Sequence, residues 1–411
     1  MTGRQAIEKE VASYLEDHAA FQDPYPFLSR VREASRAVPA GTFHFVTHYQ
    51  DVIDGYRDEK LSRNRAAHIE ADAHAHSTDD EVLKNARLSA VSMLINQDEP
   101  DHKRIRRILE VAFKPKRVAQ WAAVMQTITD ELVDGVIGKQ AFDLRNELAY
   151  PLPERIICAL MGVPYEDHAL WGTWTEAIVG AARTKAPTAE TVAAVEHAQR
   201  NFYLYFEELV EKRRQNLGDD LVSLLIRAES EEGDRLNQLE LLGALQMLIQ
   251  AGHETTANLI TNGMYTLLKH PDQYAMLRED PSLVAGAVEE MLRFESPSHF
   301  SLPRLAVEDV AMGDDILPAG TLVLMSLNAA NRDPDYFDEP DVFDIRRRNN
   351  RHIAFAAGPH FCLGNQFARL EAGVMFKAIV TRLPRLRLDG EPRFKSTFVR
   401  ALDKLPVAVA D

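Results

Sequence analysis

Residues 352–373 read HIAFAAGPHFCLGNQFARLEAG. Cys362 is followed by Gly364 and then by Phe367, Leu370, Val374 and Met375, an apolar set at helical spacing. Cys362 therefore precedes a helix. The positive end of a helix dipole and its free N–H groups stabilise a thiolate, the form of cysteine that ligates metals. Gly358 and Gly364 let the backbone turn tightly and a flat ligand approach it, and Phe355 is placed to cover one side of such a ligand. Read alone, a cysteine ahead of a helix is more often an inert core thiol than a ligand. Cys158, in the apolar run RIICALMGV, reads as just that.

The chain has 411 residues, 45% hydrophobic and 27% charged, enough for a sizeable core. No Pro/Gly/Ser-rich linker, low-complexity tract or repeat marks a boundary, so a single domain over 1–411 is expected. A formal net charge of -15 argues against nucleic acid and anionic membrane surfaces as partners. The N-terminal residues lack an apolar signal core and no stretch reads as a membrane span, so no membrane insertion and a cytoplasmic location are expected.

Helical periodicity runs over 5–17, 24–37, 80–94, 100–112, 116–138, 143–161, 165–180, 189–215, 219–228, 237–269, 272–278, 281–294 and 364–382. Strand alternation appears at 42–47 and 322–327 and more weakly at 395–410. The best-defined helix starts at Asn237, an N-cap with Glu240 three residues on, and ends before Pro271. Its length of roughly 50 Å and its all-round apolar character predict a helix that crosses the core, with a disruption at Gly252. AGHETT at 251–256 interrupts this pattern, because glycine costs about 1 kcal/mol in a helix and adjacent threonines add crowding. The alternative reading of Gly252 is close helix packing.

The pattern Phe355-x-x-Gly358-x-His360-x-Cys362-x-Gly364 resembles the heme-binding loop of the cytochrome P450 family, whose Cys thiolate is the proximal iron ligand. Other motifs, spanning about 90 to 365, match in the same order. AGHETT resembles the family's distal oxygen-binding segment, which implies catalytic roles for Glu254, as a relay of protons from solvent, and for Thr255, as the alcohol that holds water at the oxygen site. Glu290 and Arg293 resemble the family's E-x-x-R pair. The third member differs here, with Val342 where relatives often carry arginine, which leaves Arg346 or His352 to complete the network. Ala356 is a second departure, at a position usually glycine or small and polar, with a slightly altered turn as the expected consequence.

The resemblance implies a mainly α fold with a smaller β-rich part, heme b lying between the long central helix and the Cys-loop helix. By the same resemblance the heme propionates meet His102, Arg106, Arg304 and His360. Leu94, Ile95, Gln250, Ala251, Phe300, Ser301, Phe398 and Val399 fall near the substrate. Gln250 replaces an aliphatic residue and is expected to hydrogen-bond a polar substrate group or distal water. Segments 62–92 and 180–195 are expected to form access loops, with His68, His74 and His76 solvated. The implied reaction is insertion of one atom of dioxygen into a small organic substrate, hydroxylation first. A peroxygenase, an oxidative-coupling enzyme and a heme sensor are the alternatives. With no dinucleotide fingerprint in the chain, electrons are expected from a ferredoxin or flavodoxin with its NAD(P)H-dependent reductase. Its docking sites would be the basic segments 103–117, with seven Lys/Arg that include Lys103, Arg104 and Arg107, and 346–351, with four.

Overall fold

The computed structural model describes residues 3–14, 21–41, 43–64, 78–182, 188–228, 233–395 and 399–410. Its helices in chain order are α1 (Gly3–Tyr14), α2 (Tyr25–Ala34), α3 (Tyr49–Arg57), α4 (Glu81–Val91), α5 (Asp101–Glu110), α6 (Pro115–Gln120), α7 (Ala122–Asp134), α8 (Pro151–Met161), α9 (His168–Ala182) and α10 (Ala189–Gln215). They continue as α11 (Leu221–Arg227), α12 (Gln238–Gly252), α13 (Glu254–Lys269), α14 (Pro271–Glu279), α15 (Val284–Phe294), α16 (Leu327–Ala330) and α17 (Asn365–Arg382). The strands are β1 (Ala37–Ala40), β2 (Phe43–Val46), β3 (Leu61–Ser62), β4 (Ala141–Asp143), β5 (Arg304–Ala306), β6 (Val310–Met312), β7 (Asp315–Leu317), β8 (Leu322–Met325), β9 (Leu386–Leu388) and β10 (Pro406–Val409). The chain is mainly helical with a minor sheet component, as expected.

Two compact units are present, each assembled from separate stretches of chain. The first comprises Met1–Ser62, Trp121–Pro153 and Glu254–Asp411. Its main sheet has the order β1-β2-β8-β5-β3. The two strands read from alternation, β2 and β8, are parallel neighbours in register Phe43↔Leu322 to Val46↔Met325. Pro39, which has no N–H to donate, sits in the edge strand β1. Among the described residues of the span 395–410, only β10 forms a strand, between β4 and β9.

Beside the sheet, α13, α15 and α17 pack on one another. Gly263 makes this possible, because a Cβ there would lie 2.6 Å from the Met291 sulfur and 2.8 Å from Phe376 Cζ. The second unit, Arg63–Gln120 and Glu154–His253, is helical and centred on α10, α12 and α4.

The long helix read from Asn237 to His270 is two helices, divided within AGHETT, where the disruption at Gly252 is expected. Its start is as read: Asn237 Oδ1 accepts from the Glu240 N–H at 3.0 Å and Glu240 Oε2 accepts from the Asn237 N–H at 2.9 Å. α12 then ends at Gly252, His253 leaves the helix at φ -105°, and α13 begins at Glu254. The cause is local. Ile249's carbonyl is met at 3.2 Å by the His253 ring Nδ1, a side-chain partner at the point where the backbone ladder is interrupted. Close packing does not explain Gly252, since a Cβ there would meet only Ile157 Cδ1, at an ordinary 3.5 Å.

Candidate heme site

Cys362 sits three residues ahead of the first residue of α17, in a loop whose turns are fixed by backbone. Its N–H donates to the Phe355 carbonyl at 2.9 Å, and the Cys362 carbonyl accepts from Asn365 Nδ2 at 2.8 Å. Gly358 adopts φ +65°, and a Cβ there would stand 2.7 Å from the carbonyl oxygen of Tyr56 on α3. Glycine is required twice over, by conformation and by space. Ala356 also lies in the left-handed region, at φ +63°. The departure noted at this position is thus a strained one, costing about 1 kcal/mol in place of the mild change expected.

The Glu290–Arg293 pair is wholly buried and bidentate, both bonds being 2.8 Å. Arg293 also donates to the carbonyls of Asn331, Pro340 and Val342. The expectation that Arg346 or His352 completes the network is corrected. Arg347 does so, with Nε 3.2 Å from Glu290 Oε1 and its remaining nitrogens on the Asp338, Glu339 and Val342 carbonyls, joined by Asn350 Nδ2 on Glu290 at 3.0 Å. At Val342 it is the carbonyl that takes part, accepting from both arginines. His352 pairs with the neighbouring Glu289 at 3.0 Å. Burial pushes the Glu289 carboxyl up, but hydrogen bonds from His352 and Arg369 outweigh it and bring it down to about 2.

Arg304 is buried, donates to the Leu61 carbonyl at 2.9 Å and lies over the Tyr56 ring at 5.1 Å. Tyr56 thus touches both Arg304 and, through its carbonyl, the Gly358 turn. The structure brings Arg304, His360, Phe355, Gly358, Cys362 and Gly364 into this one unit, whereas His102 and Arg106 belong to the other. His102 is buried, with Nδ1 3.3 Å from Glu99 Oε1, and burial lowers its pKa. Arg106 pairs with Glu110 at 2.7 Å. Glu254 and Thr255 open α13, both half-buried, while Thr256 is buried.

Of the residues read as near the substrate, Leu94 and Ile95 lie on a short turn packed against α12, the helix that carries Gln250 and Ala251. Gln250 Nε2 is buried and has no hydrogen-bond partner among the described residues. Phe300 is instead a core ring, 5.2 Å from Phe45 and within the cluster formed by α1, α2 and the sheet. Ser301 Oγ accepts from the Met325 N–H at 3.1 Å. Val399 pairs with Ser298. Phe398, His68, His74 and His76 lie outside the described residues. Cys158 is the buried thiol expected, pushed up to about 12 chiefly by desolvation.

Not every cation of the two basic segments faces solvent. Arg104 is committed to Glu240 at 2.5 Å and to Asp101 at 3.2 Å, so it is a structural cation. The exposed cations of that segment are Lys103, Arg107, Lys114, Lys116 and Arg117. In the second segment Arg347 is likewise taken up, leaving Arg346, Arg348 and Arg351 exposed.

The donor set fits heme. Among the described residues no group of three or more His, Cys, Asp and Glu is placed to hold a bare ion. A metal that brings its own ring of donors needs one protein ligand, and Cys362 supplies a soft sulfur at a helix start. A Cβ built at Gly364 meets nothing within 4 Å, so no protein group occupies that side of the turn.

Comparison with known proteins agrees. The cytochrome P450 family model matches residues 64–389. Cytochrome P450 107B1 of Saccharopolyspora erythraea is 38% identical over 402 residues, 95% of this chain and 96% of that one. Cytochrome P450 monooxygenase PikC of Streptomyces venezuelae is 37% identical over 403 residues, 95% and 92% of the two chains. Among solved structures, the myxobacterial cytochrome P450 CYP267B1 in complex with myristic acid aligns with a TM-score of 0.87 at 34% identity, over 97% of this chain and 99% of that one. The chain therefore belongs to the cytochrome P450 family, and it is a heme b monooxygenase with dioxygen as co-substrate.

Proposed function

We propose that this enzyme hydroxylates a small, mainly apolar organic substrate carrying one polar group, in the cytoplasm, with electrons from a separate ferredoxin or flavodoxin and its NAD(P)H-dependent reductase. The observation that carries the substrate class is the buried, unpartnered Nε2 of Gln250 on the apolar helix α12, next to the Leu94–Asn96 turn. A buried amide donor left without a partner costs about 1–3 kcal/mol, which a substrate carbonyl, carboxylate or hydroxyl would recover. Myristic acid, held by the solved relative, is a molecule of this kind. For the location, no helix among the described residues is long and apolar enough to cross a membrane.

Bound heme supplies the redox chemistry, using two electrons and two protons to place one oxygen atom in the substrate and release the other as water. Cys362 would hold it from the helix start, and Arg304 and His360, in the same unit, would be partners for its carboxylates. Glu254 would relay protons from solvent to a water that the Thr255 hydroxyl holds. Exposed Lys103, Arg107, Lys114, Lys116 and Arg117, together with Arg346, Arg348 and Arg351, attract an acidic donor protein, an effect weakened by salt.

The test is a spectral-shift screen of apolar acids, ketones and alcohols, followed by product analysis with NADPH and a surrogate ferredoxin system. Hydroxylated product is expected, with weaker binding in Gln250→Leu. Tight binding without NADPH consumption across the panel would overturn the reading in favour of a sensor, and unchanged affinity in Gln250→Leu would remove that residue's role.

A further inference from the structure

Both polar groups of the Cys362 peptide lead, by one further contact each, to the same side chain. Its carbonyl accepts from Asn365 Nδ2 at 2.8 Å, and Asn365 Oδ1 accepts from Arg369 at 2.9 Å. Its N–H donates to the Phe355 carbonyl at 2.9 Å, and the Phe355 ring lies under the Arg369 guanidinium, 4.4 Å from ring centroid to the guanidinium carbon. Arg369 is in turn fixed by a bidentate pair with Glu289, at 2.7 and 3.0 Å. Glu289 also meets His352 Nε2 at 3.0 Å, while His352 Nδ1 accepts from the Ala354 N–H at 3.2 Å. Because Nδ1 accepts that N–H, the proton of the neutral imidazole lies on Nε2, facing the carboxylate. The Cys loop is thus closed into a ring of contacts whose keystone is the fork of one arginine.

We infer that Arg369, held by Glu289 and His352, is a positioning residue that fixes the direction in which Cys362 presents its sulfur. The inference rests on Cys362 being the heme ligand. Loss of the guanidinium frees Asn365 and the Phe355 ring together, so both ends of the Cys362 peptide relax. A cation on an aromatic face and a charged hydrogen bond are each modest, and both act on this one peptide. Lysine keeps the charge without the planar fork, and cannot serve Glu289, Asn365 and the ring at once.

The experiment follows the reduced carbon monoxide complex of the holoenzyme at neutral pH, recording how fast its thiolate-ligated absorption band converts to the thiol-ligated form. Arg369→Gln is expected to speed conversion on the order of tenfold. Arg369→Lys should fall nearer to it than to the parent, and Glu289→Gln should give a smaller change in the same direction. The control is Arg382→Gln, on the same helix, which loses pairs with Asp130 and Asp134 and should leave the rate unchanged. A parental rate in Arg369→Gln or Arg369→Lys, or an equal acceleration in Arg382→Gln, overturns the inference. If Arg369→Gln does not retain heme, Glu289→Gln decides by the same criterion. A parent without the thiolate band overturns the ligand reading itself, which separates the two failures.

Discussion

Glu371 lies on α17, the helix that follows the heme ligand, and it is an ionisable group with nothing to justify its charge. It is 5% exposed, its Oε2 has no hydrogen-bond partner among the described residues, and burial alone pushes its carboxyl from 4.5 up to about 8. The folded protein therefore keeps it protonated at neutral pH, whereas the unfolded chain ionises it. A raised folded pKa contributes stability that is fully present below the unfolded value and is lost as pH rises towards the folded one. At 1.36 kcal/mol per unit, the folded state loses about 3 kcal/mol between pH 5 and pH 7.5 through this group, a large share of an ordinary stability. Glu371→Gln cannot ionise, so its stability relative to the parent should climb by that amount over the same range. Urea unfolding of both holoproteins at several pH values measures the difference, in which the heme contribution common to both cancels. A difference independent of pH would refute the argument, whatever its absolute size.

The opposite slope is expected from His299, which is buried between Tyr14 and Asn328 and held neutral by desolvation and by Arg400. The parent should lose up to about 1.4 kcal/mol per pH unit below about pH 6.5, where the unfolded histidine takes up a proton, and His299→Gln should flatten that limb of the urea curve. Gly358→Ala meets a left-handed φ and a carbonyl at 2.7 Å, so a loss of at least about 2 kcal/mol and reduced heme content are expected, and an unchanged melting midpoint would contradict this. Arg347→Ala should cost about 1–3 kcal/mol while Arg346→Ala stays within about 0.5 kcal/mol in the same thermal scan; equal effects would mean that Arg347 does not complete the buried network.

What the sequence discloses here follows the range of the forces involved. Helices are set by neighbours three and four residues away, and α10 begins and ends where its periodicity does, at 189 and 215. The capping box at Asn237 and the helix after Cys362 are equally local. The nine-residue α3 is too short to persist without its tertiary packing, and Gly55 within it makes room for Met325 of the sheet, a contact 270 residues away. β3, β5 and β9 are two or three residues long and carry too little alternation to read. Side-chain partners were the least legible. Nothing near Arg104 signals Glu240, 136 positions on, and nothing near Arg347 signals that it reaches back to three carbonyls of the preceding turn. The Cys loop was readable because its chemistry lies in consecutive residues, and the Arg369–Glu289 clamp was not because it joins two helices.

The interruption at His253 is where stability and function part most clearly, and it can be weighed by one methyl group. If Gly252 were present to let another element pack closely, alanine would clash, but its Cβ would meet only Ile157 Cδ1 at 3.5 Å. If it were present to form a left-handed turn, its φ would be positive, and it is not among the residues in that region. Neither structural reason holds, so Gly252→Ala should stabilise the protein, by up to about 1 kcal/mol for the last turn of α12. The gain should come with less NADPH consumed productively, because a stiffer α12 terminus works against the break that precedes Glu254 and Thr255. A melting scan and the ratio of product to NADPH test the two halves separately. Destabilisation would show that the glycine is needed for folding, and a higher midpoint with unchanged coupling would show that the break owes nothing to oxygen chemistry.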